Sequence, residues 1–123
     1  MLKRCLLALL LSVQPVMADD LPAAIACYET STNAKNIDAY MACFVPDATM
    51  VDVSREFQGH DAIRAWALRE VIRNGETFKH RKILETSEGY AKTEVNWLSW
   101  VVHYSYWWNP EGKITRMSLQ YAD

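Results

Sequence analysis

The sequence predicts an α+β domain, with helices in its first part and a curled antiparallel sheet in its second. Apolar residues recur at helical spacing in three segments before residue 76. After that residue they alternate with polar ones, in segments of strand length that turn residues separate. The chain has 123 residues, half of them hydrophobic, which is enough for one folded domain.

The first 18 residues are interpreted as a signal peptide and not as part of the fold. Two basic residues precede an apolar run from Cys5 to Val13, and a small-residue cleavage site ends at Ala18. The run is too short to span a bilayer. We therefore expect residues 19–123 to form a single periplasmic or secreted domain that begins at Asp19 and has no membrane partner. Intact-mass measurement of the exported protein checks this start.

The composition excludes several classes of function. The formal net charge is −2, and loss of the basic leader residues would make it more negative. A mildly acidic domain without basic runs is unsuited to bind nucleic acid. The sequence has no Cys/His cluster, no glycine-rich phosphate loop and no serine-nucleophile motif. We therefore expect no metal, no cofactor and no nucleic acid partner.

Three helices are predicted from apolar stripes and from the residues that flank them. The first covers residues 19–33, where acidic residues and Pro22 are typical of a helix start. The second covers residues 37–44 and is ended by Pro46. The third covers residues 61–75 and ends at an Asn-Gly pair.

Two cysteines, Cys27 and Cys43, fall in the first two predicted helices. They are either two small buried apolar residues or the partners of one disulfide that joins the helices. Export would place them in an oxidising compartment, where a disulfide can persist.

Five strands are predicted, and the segment Ser54 to Gly59 is interpreted as a connection. The strands cover residues 48–53, 77–86, 90–97, 100–108 and 113–121. Asp52 shares the face of Met50 in the first strand, because side chains alternate along a strand. It is either a pocket carboxylate or a structural one that accepts hydrogen bonds from backbone amides of the connection.

The segments "DAYMACFVPDATMVD", "GHDAIRAW" and "NPEGKITRM" resemble the nuclear transport factor 2-like superfamily, and in particular its SnoaL-like polyketide cyclases and ketosteroid isomerases. The resemblance covers residues 21–117. It implies a cone-shaped, curled antiparallel sheet packed against three N-terminal helices, with a ligand site at the mouth of the cone.

The resemblance also implies site residues. The tyrosine and aspartate of the isomerase branch fall on Tyr28 and Asp52, which would be the hydrogen-bond donor and the general base. The position of a third group, a protonated acid in that branch, falls on Tyr104, with His103 one register step away. This departure from the branch argues against steroid isomerisation itself.

Other side chains complete the candidate pocket. Met50 and Trp66 would give Asp52 apolar surroundings, which favour the neutral acid. His80 lies in a strand and is either packed, solvated or paired with Asp52. The tryptophans of the sheet, Trp100 among them, form a ligand wall, a core or a subunit interface.

Two functions remain open from the sequence. The first is a cofactor-independent isomerase, cyclase or lyase that acts on a small apolar carbonyl compound, with Asp52 as base. The second is a non-catalytic binding or assembly module of the same fold. In both cases we expect a homodimer through the outer face of the sheet, because Trp107 and Trp108 must point to opposite faces.

Overall fold

The computed structural model describes residues 21–122, which form helices followed by a six-stranded sheet. The helices are α1 (Ala23–Asn33), α2 (Ile37–Met41) and α3 (His60–Glu70), and a 3-10 helix follows at Ile72–Thr77. The strands are β1 (Phe44–Asp52), β2 (Arg55–Gln58), β3 (Lys79–Ser87), β4 (Tyr90–Trp97), β5 (Trp100–Trp108) and β6 (Ile114–Tyr121). None of the helices in this range has both the length and the apolar character that a membrane span needs.

The sheet is curled and open, with the strand order β2-β1-β6-β5-β4-β3. The predicted fold class is confirmed, with one addition to the antiparallel pattern: β1 and β6 pair in parallel. This pairing sets Asp52 beside Leu119 at one end of the sheet. It therefore brings an early and a late part of the chain together at the place where a cavity opens.

The segment that was interpreted as a connection contains a strand. Arg55–Gln58 pairs antiparallel with β1, and only two residues, Val53 and Ser54, form the turn between them. The prediction was wrong because two-residue hairpin turns are usually marked by Gly or Asn, and this one has neither.

The second and third helices are shorter than predicted. α2 ends at Met41, and Pro46 lies within β1, where the register with β6 shifts between Phe44 and Thr49. A proline is tolerated at such an irregularity, because it lacks the N–H that a regular ladder requires.

The end of α3 is determined by close packing against α1. A Cβ atom on Gly75 would lie 2.0 Å from the carbonyl oxygen of Thr32, so only glycine fits there. The side chain of Asn33 donates hydrogen bonds to the carbonyl oxygens of Gly75 and Phe78, at 3.0 and 2.8 Å. These contacts hold the 3-10 helix that follows α3 against α1.

An aromatic cluster fills the space between the helices and the sheet. Tyr28 of α1 lies at its centre and is fully buried. Its ring centroid lies 5.0 Å from that of Tyr40, 5.4 Å from Phe78, 5.6 Å from Tyr106 and 6.0 Å from Tyr104. The cluster buries aromatic surface from α1, α2, β5 and the segment before β3, and so it fixes the helices on the sheet.

A disulfide joins Cys27 of α1 to Cys43, which directly precedes β1. The α-carbons are 5.9 Å apart. Of the two alternatives left open by the sequence, the structure contains the bonded one.

The outer face of the sheet carries Trp107, whereas Trp108 packs against the core. The ring of Trp107 lies 5.1 Å from that of Tyr90, and the guanidinium of Arg116 lies 5.7 Å above it. On the same face Val101 is exposed.

We predict that this outer face forms a homodimer, because aromatic residues and arginine, which Trp107, Tyr90 and Arg116 supply here, are enriched at interfaces. Sedimentation velocity at micromolar concentration should show a dimer for the wild type and a monomer for Trp107→Glu. A monomeric wild type would contradict the prediction.

Candidate functional site

A cavity of about 360 Å³ opens at the end of the sheet where β1, β5 and β6 approach the end of α3. Pockets of this size hold small organic molecules. Most of its lining residues are apolar or aromatic, and polar groups supply a comparable share of the exposed wall. The lining residues are Asp52, Val53, Ser54, Arg55, Trp66, Glu70, Val71, Trp97, Leu98, Trp100, Val102, Tyr104, Leu119 and Tyr121.

Asp52 lies at the end of β1, with its carboxylate in the wall of the cavity. Its side chain is 18% exposed. The indole Nε1 of Trp66 donates a hydrogen bond to Oδ2 of Asp52 at 3.1 Å, and the guanidinium of Arg55 pairs with the same oxygen. The partners of Asp52 are therefore side chains, and not the backbone amides that the structural alternative required.

Arg55 connects Asp52 to a second carboxylate, that of Glu70. Its Nη1 and Nη2 donate to the two oxygens of Glu70 at 3.0 and 2.7 Å. These hydrogen bonds lower the pKa of Glu70, and both carboxylates raise the pKa of Arg55. The group is a carboxylate–guanidinium–carboxylate bridge from β1 to α3.

Neither Arg55 nor Glu70 is predicted as a site residue from the sequence. Arg55 falls in the predicted connection, and Glu70 in the predicted third helix. Only the short spacing between Asp52 and Arg55 could have indicated that they meet. Two residues separate them, and the pairing of β2 with β1 places them opposite each other.

Tyr104 supplies a phenol to the cavity wall, and Tyr28 does not line it. The hydroxyl of Tyr28 lies behind the wall, where it accepts a hydrogen bond from Tyr40 at 3.1 Å. Burial raises the pKa of both Tyr28 and Tyr104, and the nearby charge of Asp52 contributes in each case. Both phenols are therefore neutral at physiological pH, and Tyr104 is the one that lines the cavity.

Three of the predicted pocket residues lie elsewhere. Met50 is on the face predicted for it, but it is fully buried in the core next to Met117. His103 lies on the outer face, with its Nε2 3.6 Å from an oxygen of Glu94. The strand register places Tyr104 on the inner face, and His103, the residue before it, must therefore point outward.

His80 is the third, and it belongs to a separate buried network. Its ring lies between Glu29 and Tyr106, with 2.9 Å from Nδ1 to Oε2 of Glu29 and 2.9 Å from Nε2 to the hydroxyl of Tyr106. The backbone N–H of His80 donates to the same Glu29 oxygen at 3.0 Å. The network ties α1 to β3 and β5, and no member of it lines the cavity.

This network should make the stability of the domain depend on acid pH. Burial raises the pKa of Glu29, but hydrogen bonds from His80 outweigh it and the net pKa is lowered. A carboxylate with a lowered pKa stabilises the fold above its unfolded pKa, and that stability is lost as the pH falls through the folded value. Glu29→Gln should therefore cost about 1 kcal/mol at pH 7 and reduce the loss of stability below about pH 4.5.

Denaturant unfolding at several pH values measures this effect. The exposed Glu88, in the turn after β3, is the matched control, and Glu88→Gln should behave as the wild type. Parallel stability curves for Glu29→Gln and wild type would disprove the role of the network.

Residues 21–122 contain no group of three or more His, Cys, Asp or Glu side chains placed to hold a metal ion. The polar side chains that line the cavity are Asp52, Ser54, Arg55, Glu70, Tyr104 and Tyr121, together with the tryptophan indoles.

No family model and no curated protein matches this chain. Solved structures do match. A SnoaL-like protein of unknown function from Burkholderia thailandensis has a TM-score of 0.72 at 12% identity, over 89% of this chain and 100% of that one. A candidate polyketide cyclase from Sinorhizobium meliloti has a TM-score of 0.65 at 24% identity, over 85% of this chain and 100% of that one.

This chain has the SnoaL-like, nuclear transport factor 2-like fold. A third neighbour is a Mycobacterium tuberculosis protein in complex with estradiol-17β-hemisuccinate, with a TM-score of 0.69 at 15% identity, over 80% of this chain and 92% of that one. At such identities the likeness establishes the fold alone. The fold that the sequence resemblance implied is confirmed. The cavity lies at the open end of the curled sheet.

Proposed function

We propose that the protein binds a small, largely apolar carbonyl compound in the cavity and that Asp52 removes a proton from the carbon next to the carbonyl. The observation that carries this proposal is the placement of a carboxylate and a neutral phenol, Asp52 and Tyr104, in one cavity, where most of the other lining residues outside the Arg55–Glu70 ion pair are apolar or aromatic. Structural neighbours add support, since one is a candidate polyketide cyclase and another is an epoxide hydrolase/cyclase-like enzyme of salinomycin formation.

The arrangement suits proton transfer. Both hydrogen bonds that the structure gives Asp52 end on Oδ2, so Oδ1 remains available to a ligand. Oδ1 takes the proton from the α-carbon, and the electron pair of the broken C–H bond moves toward the carbonyl to give an enolate. Tyr104 donates a hydrogen bond to the enolate oxygen, which lowers the energy of the charged intermediate. In a ligand with a carbon–carbon double bond conjugated with the enolate, return of the proton to the far carbon of that bond completes an isomerisation.

Arg55 positions Asp52 for this chemistry. Its guanidinium pairs with Oδ2 of Asp52 and also with Glu70, so the carboxylate is held between β1 and α3.

The hydrogen bonds of Asp52 to Trp66 and Arg55 favour a second candidate function, a carrier that binds its ligand without reaction. A carboxylate held by an arginine and an indole is well suited to fix a polar ligand group. The Mycobacterium tuberculosis neighbour holds a steroid derivative, and the Orange Carotenoid Protein from Anabaena, of which this chain covers only 38%, binds canthaxanthin.

Calorimetric titration with 4-butylacetophenone tests ligand binding in either case. We expect binding by the wild type, and affinity at least about tenfold weaker in Leu119→Phe, because a larger side chain there occupies the cavity. Leu68→Phe is the matched control, since Leu68 is exposed on α3 and outside the cavity. Absence of binding by the wild type, or equal binding by Leu119→Phe, would contradict the proposal.

We also propose that the domain is exported. The disulfide between Cys27 and Cys43 supports this, because such bonds persist in oxidising compartments and are rare in the cytosol. Fractionation of cells that express the full chain, followed by intact-mass measurement, tests location and cleavage together.

A further inference from the structure

Two hairpin turns at the mouth of the cavity share an unusual backbone. Asp52 pairs with Arg55, and Trp97 pairs with Trp100, so each turn consists of two residues. In both turns the first residue is large and apolar and the second is serine. Val53 has a φ of 60° and Leu98 a φ of 56°, which is the left-handed region.

This conformation is unfavourable for such side chains. Glycine, asparagine and aspartate are the usual residues at the left-handed position of a two-residue hairpin. A β-branched residue such as Val53 is a genuine outlier there. Strain of this kind persists where a side chain has a role that the preferred residue cannot fill.

Both strained side chains are at the cavity mouth. Val53 and Leu98 line the cavity, and they are 42% and 55% exposed, so neither is needed to fill the core. Within residues 21–122, the one other non-glycine residue with positive φ is Lys35, which follows the end of α1. A left-handed residue is ordinary at that position of a helix.

The rest of the rim extends this apolar surface. Trp100 and Tyr121 are 53% and 57% exposed, and their ring centroids are 5.2 Å apart. Asp52 and Tyr104 are much less exposed than the rim. On one side of the mouth, Arg55 and Glu70 neutralise each other as an ion pair.

We propose that Val53 and Leu98 form an apolar clasp that contacts the outer end of the bound ligand. This inference rests on the function proposed above and narrows its ligand class. The ligand has a carbonyl head that reaches Asp52 and Tyr104, and an apolar tail long enough to extend to the two turns. A compact ligand without a tail binds without the clasp.

The test compares a ligand with and without a tail. Acetophenone carries the head alone, and 4-butylacetophenone adds four carbons that point toward the mouth. Each buried methylene strengthens binding by about fourfold, so the wild type should bind the butyl compound far more tightly than acetophenone. We expect the ratio of the affinity for 4-butylacetophenone to that for acetophenone to fall at least about tenfold in the double variants Val53→Gly/Leu98→Gly and Val53→Asn/Leu98→Asn. The affinity for acetophenone should be unchanged.

The stability of the same variants is the second measurement. Because glycine and asparagine relieve the strained backbone, both variants should melt at or above the temperature of the wild type. Lys35→Gly is the matched control, since it changes a left-handed residue outside the cavity and should leave both affinities unaltered.

The outcomes separate the clasp from the function on which it rests. If both double variants bind 4-butylacetophenone more tightly than acetophenone by the same factor as the wild type, the clasp is overturned and the proposed function still stands. A clear fall in melting temperature in both variants also overturns it, because the side chains would then support the fold. Failure of the wild type to bind either compound overturns the proposed function and the clasp with it.

Discussion

Replacing Asp52 with asparagine should slow the exchange of α-protons by at least about 100-fold, because a positioned general base contributes about 10²- to 10⁴-fold. The assay follows the acetyl protons of 4-butylacetophenone by NMR in deuterated buffer. An amide has no basic oxygen that can accept the proton, whereas the carbonyl-binding phenol of Tyr104 remains. Binding measured by calorimetry should therefore change much less than exchange.

The fold should tolerate this substitution. The amide oxygen of the variant would still accept the indole N–H of Trp66, and Arg55 would retain its two hydrogen bonds to Glu70. Because Arg55 is half exposed, loss of its pairing with Asp52 should have little effect on the free energy of unfolding. Glu88→Gln is the matched control, since it alters an exposed carboxylate outside the cavity and should leave exchange close to the wild-type rate.

Two results would decide against catalysis by Asp52. Equal exchange by wild type and Asp52→Asn would remove its role as base. A clear loss of melting temperature in Asp52→Asn, with ligand binding intact, would show that the carboxylate serves the fold, and the carrier function would then be preferred.

Loss of the disulfide should have the largest effect on stability. Cys27 and Cys43 are 16 residues apart in sequence, and closing a loop of that size contributes about 3 kcal/mol in the chain-entropy model. The double variant Cys27→Ala/Cys43→Ala should therefore melt more than about 10 °C below the wild type. Thermal unfolding of the wild type with and without a thiol reductant provides the control.

Reduction of the wild type should reproduce most of the loss seen in the double variant. If the oxidised, reduced and substituted proteins melted together, the bond would be irrelevant to stability, whatever its role in export.

Most of the fold was predictable because its strongest signals are local. β4 and β5 agree with the prediction at both ends, since buried Ala91 and Val95 alternate with polar neighbours along β4. β2 is not predicted because the turn before it contains no glycine or asparagine, and the turn at Leu98 lacks them as well. At both places a residue other than glycine takes the left-handed conformation, so the turn has no compositional mark.

The site was predictable only in part because it depends on register and on long-range pairing. Asp52, Trp66, Tyr104 and Trp100 line the cavity. Asp52 and Tyr104 followed from strand alternation or from the family resemblance, and Trp66 from the apolar stripe of the third predicted helix. His80 was different, because nothing near it in sequence indicates that Glu29, 51 residues away, is its partner. Arg55 and Glu70 likewise meet only after β2 has paired with β1.

The parallel pairing of β1 with β6 has a consequence for the order of folding. The cavity wall needs both strands, and the side chain of Gln120 reaches the carbonyl oxygen of Val53 across 67 residues of sequence. Contacts between such distant segments form late, since a long loop must close first. During synthesis, the edge of β1 that pairs with β6 therefore has no partner until β6 has been made.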